Sequence, residues 1–401
     1  MRPALSTVRS VLPDPALRAV RSVRRGWWRA QGLVVRQPQG QPRPPVPTGP
    51  VRLLVGPVNF AAQGWAWGRA AEELPGVGSV VMAVQRPLLN FAADYPVLPE
   101  QYRHPSWGFD QRRWLGGFTH LLDEAARPLT GRLAGDTCAR ELPWWRDAGL
   151  RVALVGHGSD IRLPSLHREL YPFSPFAPDD PATRILTEQA QRGRRVFLEF
   201  DGPTFVSTPD LLDFAPGATW LPVVVDPDGW TAVDEPLVRP RPVVLHVPSN
   251  PFLKGSSYID AALVPMAEQG LIEYRRLESV PPGQMSDLVR SADIVVDQVV
   301  LGLYSAMAIQ AMLAGRVVLA HVSDRCRQRL PYPLPIVEAP PDGVAAAVQR
   351  VLDDRPAHQA LAAQGRAFAE RVHDGRMSAA VLSGFLGTAS PGTAVPGTAP
   401  D

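Results

Sequence analysis

The sequence predicts an α/β protein built from two doubly wound, parallel-sheet domains that face each other across a cleft. Three observations carry this expectation. The chain has 401 residues, too many for one ordinary core and suited to two domains of typical size. Short runs of valine, isoleucine and leucine alternate with helical patterns, which implies parallel sheets covered on both faces. The alternation is interrupted once, at Asp226-Pro227-Asp228-Gly229, and restarts at Val243.

Composition narrows the class. With 45% hydrophobic and 20% charged residues the chain reads as a globular protein, and a net charge of +2 makes it no polyanion trap. The charge is unevenly placed, because residues 1–50 hold nine arginines against the single acid Asp14. Cys138 and Cys326 lie in different expected domains, which argues against a disulfide framework or a structural zinc and fits a reducing cytoplasm. The N-terminus lacks the apolar core of a secretory signal, and no run reaches bilayer-spanning length.

Taken in order, residues 1–36 read as short basic helical segments broken at Pro13 and Pro15. Residues 37–50 read as a proline-rich, semi-extended spacer. The first Rossmann-like domain covers residues 51–230. Its strands are expected at 51–55, 80–84, 152–155 and 205–207, with helices at 65–74 and 118–126 and a last strand-like run at 221–225. The second covers residues 240–375. There strands are expected at 243–247, 271–274, 294–296 and 317–321, with helices at 285–290 and 306–314 and one starting near Ser256; Gly270 and Gly315 end two of them. Residues 343–386 are helical in pattern, with 376–387 a C-terminal helix. Residues 388–401 are a low-complexity tail with too little apolar surface to order itself.

In such sheets, ligands bind outside the carboxyl ends of strands, so polar residues there are the candidates. The loop after the first strand carries Gly56, Asn59 and Gly64, small enough to bring backbone amides near a ligand; a tight turn is the plainer explanation. The next candidate is Gly156-His157-Gly158-Ser159-Asp160-Ile161-Arg162. His157 suits a sugar hydroxyl, whereas Asp160 and Arg162 either share the cleft or merely pair and cap a helix. In the second domain Lys254 and Gly255 follow the strand from Val243, with His246 at its end and Ser249 between. Asp297 and Gln298 end the strand at 294–296. Tyr304, Ser305 and Ala306 open a helix on which Gln310 could reach a ribose. A lysine beside free helix amides makes a pocket for a diphosphate, although a surface lysine near a helix start is common.

These residues resemble the donor domain of GT-B glycosyltransferases, in particular those like glycosyltransferase family 4. The likeness rests on Lys254-Gly255, the segment from Val280 to Met285 that includes Pro282, Ala292-Asp293-Ile294, and Tyr304-Ser305 followed by Gln310-Ala311-Met312-Leu313-Ala314-Gly315. Gly302 and Gln310 stand where that family carries paired glutamates, and Ser249 stands where an arginine precedes the lysine. The resemblance implies a GT-B fold, with the acceptor on the first domain and the donor on the second. Sugar would pass from a nucleotide-sugar with retention of configuration and without metal or other cofactor, Lys254 and His157 contributing to the chemistry. The acceptor would be a carbohydrate or a lipid-linked one. Two other readings stay open: a binder of a nucleotide or partner without catalysis, and a sugar epimerase of the same fold. The basic arm at 1–36, with Trp27-Trp28 among arginines, either lies on an anionic membrane surface or is a solvated extension. No nucleic-acid-binding fold accompanies its charge.

Overall fold

Two parallel sheets organise the chain in the computed structural model, which describes residues 40–85, 91–231 and 234–389. The first sheet comprises β1 (Val51–Gly56), β2 (Val77–Val84), β3 (Tyr95–Val97), β4 (His120–Glu124), β5 (Arg151–Gly156), β6 (Thr204–Val206) and β7 (Thr219–Trp220), in the order β3-β2-β1-β4-β5-β6-β7. The second comprises β8 (Val243–His246), β9 (Glu273–Arg276), β10 (Ile294–Val296), β11 (Val317–Ala320) and β12 (Val337–Glu338), in the order β12-β11-β10-β8-β9. The chain reverses its direction of travel once in each sheet, between β1 and β4 and between β8 and β10. Each reversal opens a crevice at the carboxyl ends of its two strands.

The longer helices are α1 (Gln63–Glu72), α2 (Pro105–Leu115), α3 (Pro164–Leu170), α4 (Pro181–Glu199), α5 (Ser256–Glu268), α6 (Pro282–Arg290), α7 (Ala306–Leu313), α8 (Val344–Asp353), α9 (Arg355–Val372) and α10 (Arg376–Leu386). Strands β8, β10 and β11 are buried along their whole length, which matches their unbroken apolar runs. Gly270 and Gly315 take left-handed angles just beyond α5 and α7, the backbone state that ends a helix.

Three expectations are corrected. Residues 118–126 do not form a helix; they contain β4, paired with β1 on one side and β5 on the other. Phe118, Leu121 and Leu122 imitate helical spacing, but a central strand is buried on both faces and loses the alternation that would reveal it. All five residues of β4 are buried, Asp123 and Glu124 included. Residues 221–225 join no strand of either sheet and run between the domains, held by side chains: Gln63 accepts from the Val224 amide (2.7 Å) and donates to its carbonyl (3.0 Å). Trp67 donates to the Pro222 carbonyl, and His373 bonds the Val223 carbonyl. The third correction concerns the spacer. Residues 40–50 lack helix and strand but lie docked on the first domain, where Arg43 donates to Gln111, Trp114 donates to the Pro44 carbonyl and Val46 packs into a core cluster.

The chain ends by returning to the first domain. Ala379, Leu382, Phe385 and Leu386 of α10 join the core formed by Trp67, Leu53 and Val55. A second seam links the domains directly. Tyr171 donates to Asp213 (2.7 Å), which also receives Arg325 (3.0 Å) and Arg329 (2.5 Å). Burial opposes the charge on Asp213, yet the hydrogen bonds from Arg329, Arg325 and Tyr171 hold its carboxyl well below the usual range. Among the described residues no helix is long and apolar enough to cross a membrane. The expected arm at 1–36 and most of the tail lie outside the described residues.

Phe385 lies edge-on to His120 and Phe205 and is nearly fully buried. Phe385→Ala is expected to cost about 3–5 kcal/mol, read as a lowered urea midpoint.

Candidate functional site

Asp297 is the centre of the second-domain site. It follows β10, the strand on one side of the reversal, and its side chain is wholly buried. Its carboxylate accepts the Lys254 ammonium at 2.6 Å, the Ser305 hydroxyl at 2.6 Å and the Ser305 amide at 2.8 Å. Lys254 also donates to the Ser305 hydroxyl at 2.8 Å, and that oxygen caps α7 by accepting the Met307 amide. Lys254 comes from the other side of the reversal, on the short turn Pro251–Lys254 that Asn250 caps. Gly255 then turns the chain into α5 with φ of +70°, where a Cβ would meet Val299 and Val300 at 2.7 Å. Lysine, Asp297 and the start of α7 are therefore brought to one point.

Lys254 is the only lysine in the chain; every other cationic side chain of the Lys/Arg pair is arginine. An ammonium has three donors, and Asp297 and Ser305 use two. The third is available to an anion. Asp297 and Ser305 likewise engage the Ser305 and Met307 amides, leaving the Ala306 amide as the partly exposed first-turn donor that neither takes up. The expectation that the Ser305 amide meets a phosphate is corrected, because Asp297 already holds it.

Several other residues turn inward. Gln298 is fully buried, accepts the Val300 and Leu301 amides and donates to the carbonyls of Leu303 and His321, so it folds the 299–303 loop rather than facing the cleft. Tyr304 is buried with its hydroxyl against His373. His246 spends both ring nitrogens, on the Val296 carbonyl and the Ser256 hydroxyl, and burial lowers its pKa to about 4. Asp293 is structural, accepting the Leu237 and Val243 amides and Arg239. Ser305, Ala306 and Gln310 stay partly exposed, and Ser249 and Pro282 are exposed. Gly302 has φ of +71°, and a Cβ there would lie 2.8 Å from the Tyr171 ring. No acid fits that position.

On the first domain the reversal between β1 and β4 places Glu124, absent from the expected set, at the end of β4. Its carboxylate accepts the Asn59 amide at 2.9 Å and bonds His157 Nε2 at 3.0 Å. An ionised carboxylate only accepts, so Nε2 donates in this pair; in the neutral imidazole Nδ1 is then the acceptor. The imidazole stacks on Trp67 with centroids 5.3 Å apart and meets Phe60 edge-on. A Cβ at Gly64 would lie 2.9 Å from the Glu124 carboxylate, and one at Gly56 2.7 Å from the Met82 carbonyl, so both glycines permit close approach. Asn59, Ala61 and Ala62 all have positive φ, a costly conformation held by Glu124 and by the Asn59 side chain, which accepts from the Trp65 amide and donates to the Ala92 carbonyl. Asp160 and Arg162 do not pair with each other, and both side chains are taken up by the protein. Asp160 accepts the His157 and Gly158 amides, and Arg162 forms a buried pair with Asp210 at 2.6 Å.

No protein-family model and no curated protein sequence matches this chain. Solved structures do. Sucrose-phosphate synthase from Thermosynechococcus elongatus aligns with a TM-score of 0.57 at 14% identity, covering 83% of this chain and 97% of its own. HepE of Anabaena, in complex with UDP-glucose, gives 0.53 at 13% identity and covers 84% and 98%. A glycosyltransferase from Rickettsia africae gives 0.52 at 10% identity and covers 83% and 98%. The fold is thus GT-B, two Rossmann-like parallel-sheet domains.

Removing the Glu124 carboxylate strands the Val58 and Asn59 amides and unties His157. Glu124→Ala is expected to lower stability by about 2–4 kcal/mol in urea denaturation. Gly302→Ala should cost about 1–3 kcal/mol, and less when combined with Tyr171→Ala, since the second change opens the space the first needs.

Proposed function

We propose that the protein is a glycosyltransferase that takes a sugar from a nucleoside diphosphate sugar bound to its second domain. The observation that carries this reading is the chain's single lysine, held by Asp297 and Ser305 against the start of α7 at the strand reversal of the second sheet. Neutralising charge on a departing diphosphate needs fixed donors in a place sheltered from water. The free Lys254 donor and the Ala306 amide supply them, and no metal or other cofactor enters the reading. HepE, which shares the fold, carries UDP-glucose in its structure, so a uridine diphosphate donor is the first to try.

On the first domain, Glu124 holds the imidazole of His157 with Nδ1 available to a sugar hydroxyl, which suits the acceptor side. The family resemblance supports retention of configuration. A carbohydrate or lipid-linked acceptor completes the reading, the latter accompanied by peripheral contact of the arm at 1–36 with the inner face of the membrane. Two observations favour binding without turnover as the second reading. Asp297 neutralises Lys254, and Gly302 leaves no room for an acid.

Lys254→Ala is expected to weaken UDP binding roughly tenfold to a hundredfold in isothermal titration, with Lys254→Arg recovering only part because the planar fork cannot repeat the ammonium's contacts. Unchanged affinity would remove Lys254 from the donor site. Slow release of glucose from UDP-glucose by the wild type, absent in Lys254→Ala, separates turnover from binding alone.

A further inference from the structure

A cavity bordering the first-domain reversal has no part in the chemistry described so far. It measures about 470 Å³, within the range of small-molecule sites. Val58 follows β1, Val84 ends β2 and Arg127 follows β4, so the cavity lies outside the carboxyl ends of three adjacent strands. Four arginines line it, Arg103, Arg127, Arg132 and Arg192, against one acidic residue, Asp136. They come from three separate segments, Arg127 and Arg132 sharing the loop after β4. Among the described residues none of the four side chains has an ion pair or a hydrogen bond, whereas Arg52, Arg69, Arg162 and Arg194 in the same domain are each engaged.

Like charges gathered around a hollow repel one another unless an anion sits among them. Arginine, planar and always charged, matches the oxygens of a phosphoryl group. The acids behind the cavity wall do little to cancel the field. Burial pushes Asp123 well above the usual carboxylate range and Glu141 up to about 7. A smaller hollow shares Arg127, Asp136 and Arg192 with the cavity and runs on to Asp160, the residue that fixes the His157 loop. The arginine-lined cavity thus borders the loop that carries His157.

We infer that this cavity holds a phosphate group carried by the acceptor, so that the sugar is passed to a phosphorylated molecule. This deepens the proposed function and rests on it for the word acceptor; the binding itself can be tested alone. The phosphate could belong to a soluble ester or to a lipid headgroup.

The test uses the full chain at low salt, with inorganic phosphate, glucose 6-phosphate, glucose and phosphatidylglycerol vesicles as probes and UDP as the control. Glucose 6-phosphate or the vesicles should bind, and Arg127→Gln combined with Arg192→Gln should weaken that binding by roughly tenfold or more while UDP binding is unchanged. Asp136→Asn should tighten it, a result that misfolding would not produce. Binding of glucose 6-phosphate alone assigns a soluble ester, and arginine-dependent binding of the vesicles alone assigns a lipid-borne phosphate. Glucose binding as well as glucose 6-phosphate, or equal affinity in the double variant, would overturn the inference. So would the failure of inorganic phosphate, glucose 6-phosphate and vesicles alike to bind. Loss of UDP binding in the wild type with phosphate binding intact would instead reject the donor site and leave this cavity standing.

Discussion

A single buried carboxylate, that of Asp297, fixes the geometry of the second domain's site. Without it the Lys254 ammonium would be a buried charge lacking its counter-charge, a situation that costs several kcal/mol. Instead one group positions the lysine, the Ser305 cap and the first turn of α7 together. The arrangement has an electrostatic price: a lysine tied to an aspartate offers an incoming phosphate far less net charge than a free one. Hydrogen-bond direction, more than charge, is what remains to hold an anion there.

The same economy appears where the domains meet. The crossing segment at 221–225 lies in no sheet, yet its backbone is taken up by Gln63, Trp67 and His373 from both sides. Tyr171 reaches over from the first domain to lie against Gly302 and shares Asp213 with two arginines of the second. The vacancy at Gly302 is therefore the imprint of an aromatic ring from the neighbouring domain. What is missing from the site on one side is packing on the other.

Much of this was legible in the sequence. Unbroken apolar runs such as Ile294–Val296 show a strand buried on both faces, and glycines at 270 and 315 show where helices stop. Asp297 and His157 could be picked out because they directly follow such strands, where ligands bind, and Lys254 and Ser305 because they stand at helix starts beyond them. The rest was hidden for physical reasons. Glu124 ends a strand whose polar residues are enclosed and whose spacing imitates a helix. Gln298 and Tyr304 occupy the right loop but turn the wrong way, which side-chain direction alone decides. Arg103, Arg127, Arg132 and Arg192 are spread over ninety residues and come together only when the sheet is assembled.

The lone lysine has a further meaning for the protein's covalent chemistry. Reagents and enzymes that modify side-chain amines find a single target, because arginine does not react as an amine does. Any such modification of a side chain must fall on the one ammonium that Asp297 and Ser305 keep only slightly exposed. Side-chain amine damage, in this molecule, is either nothing or a direct hit on the corner that Asp297 and Ser305 build.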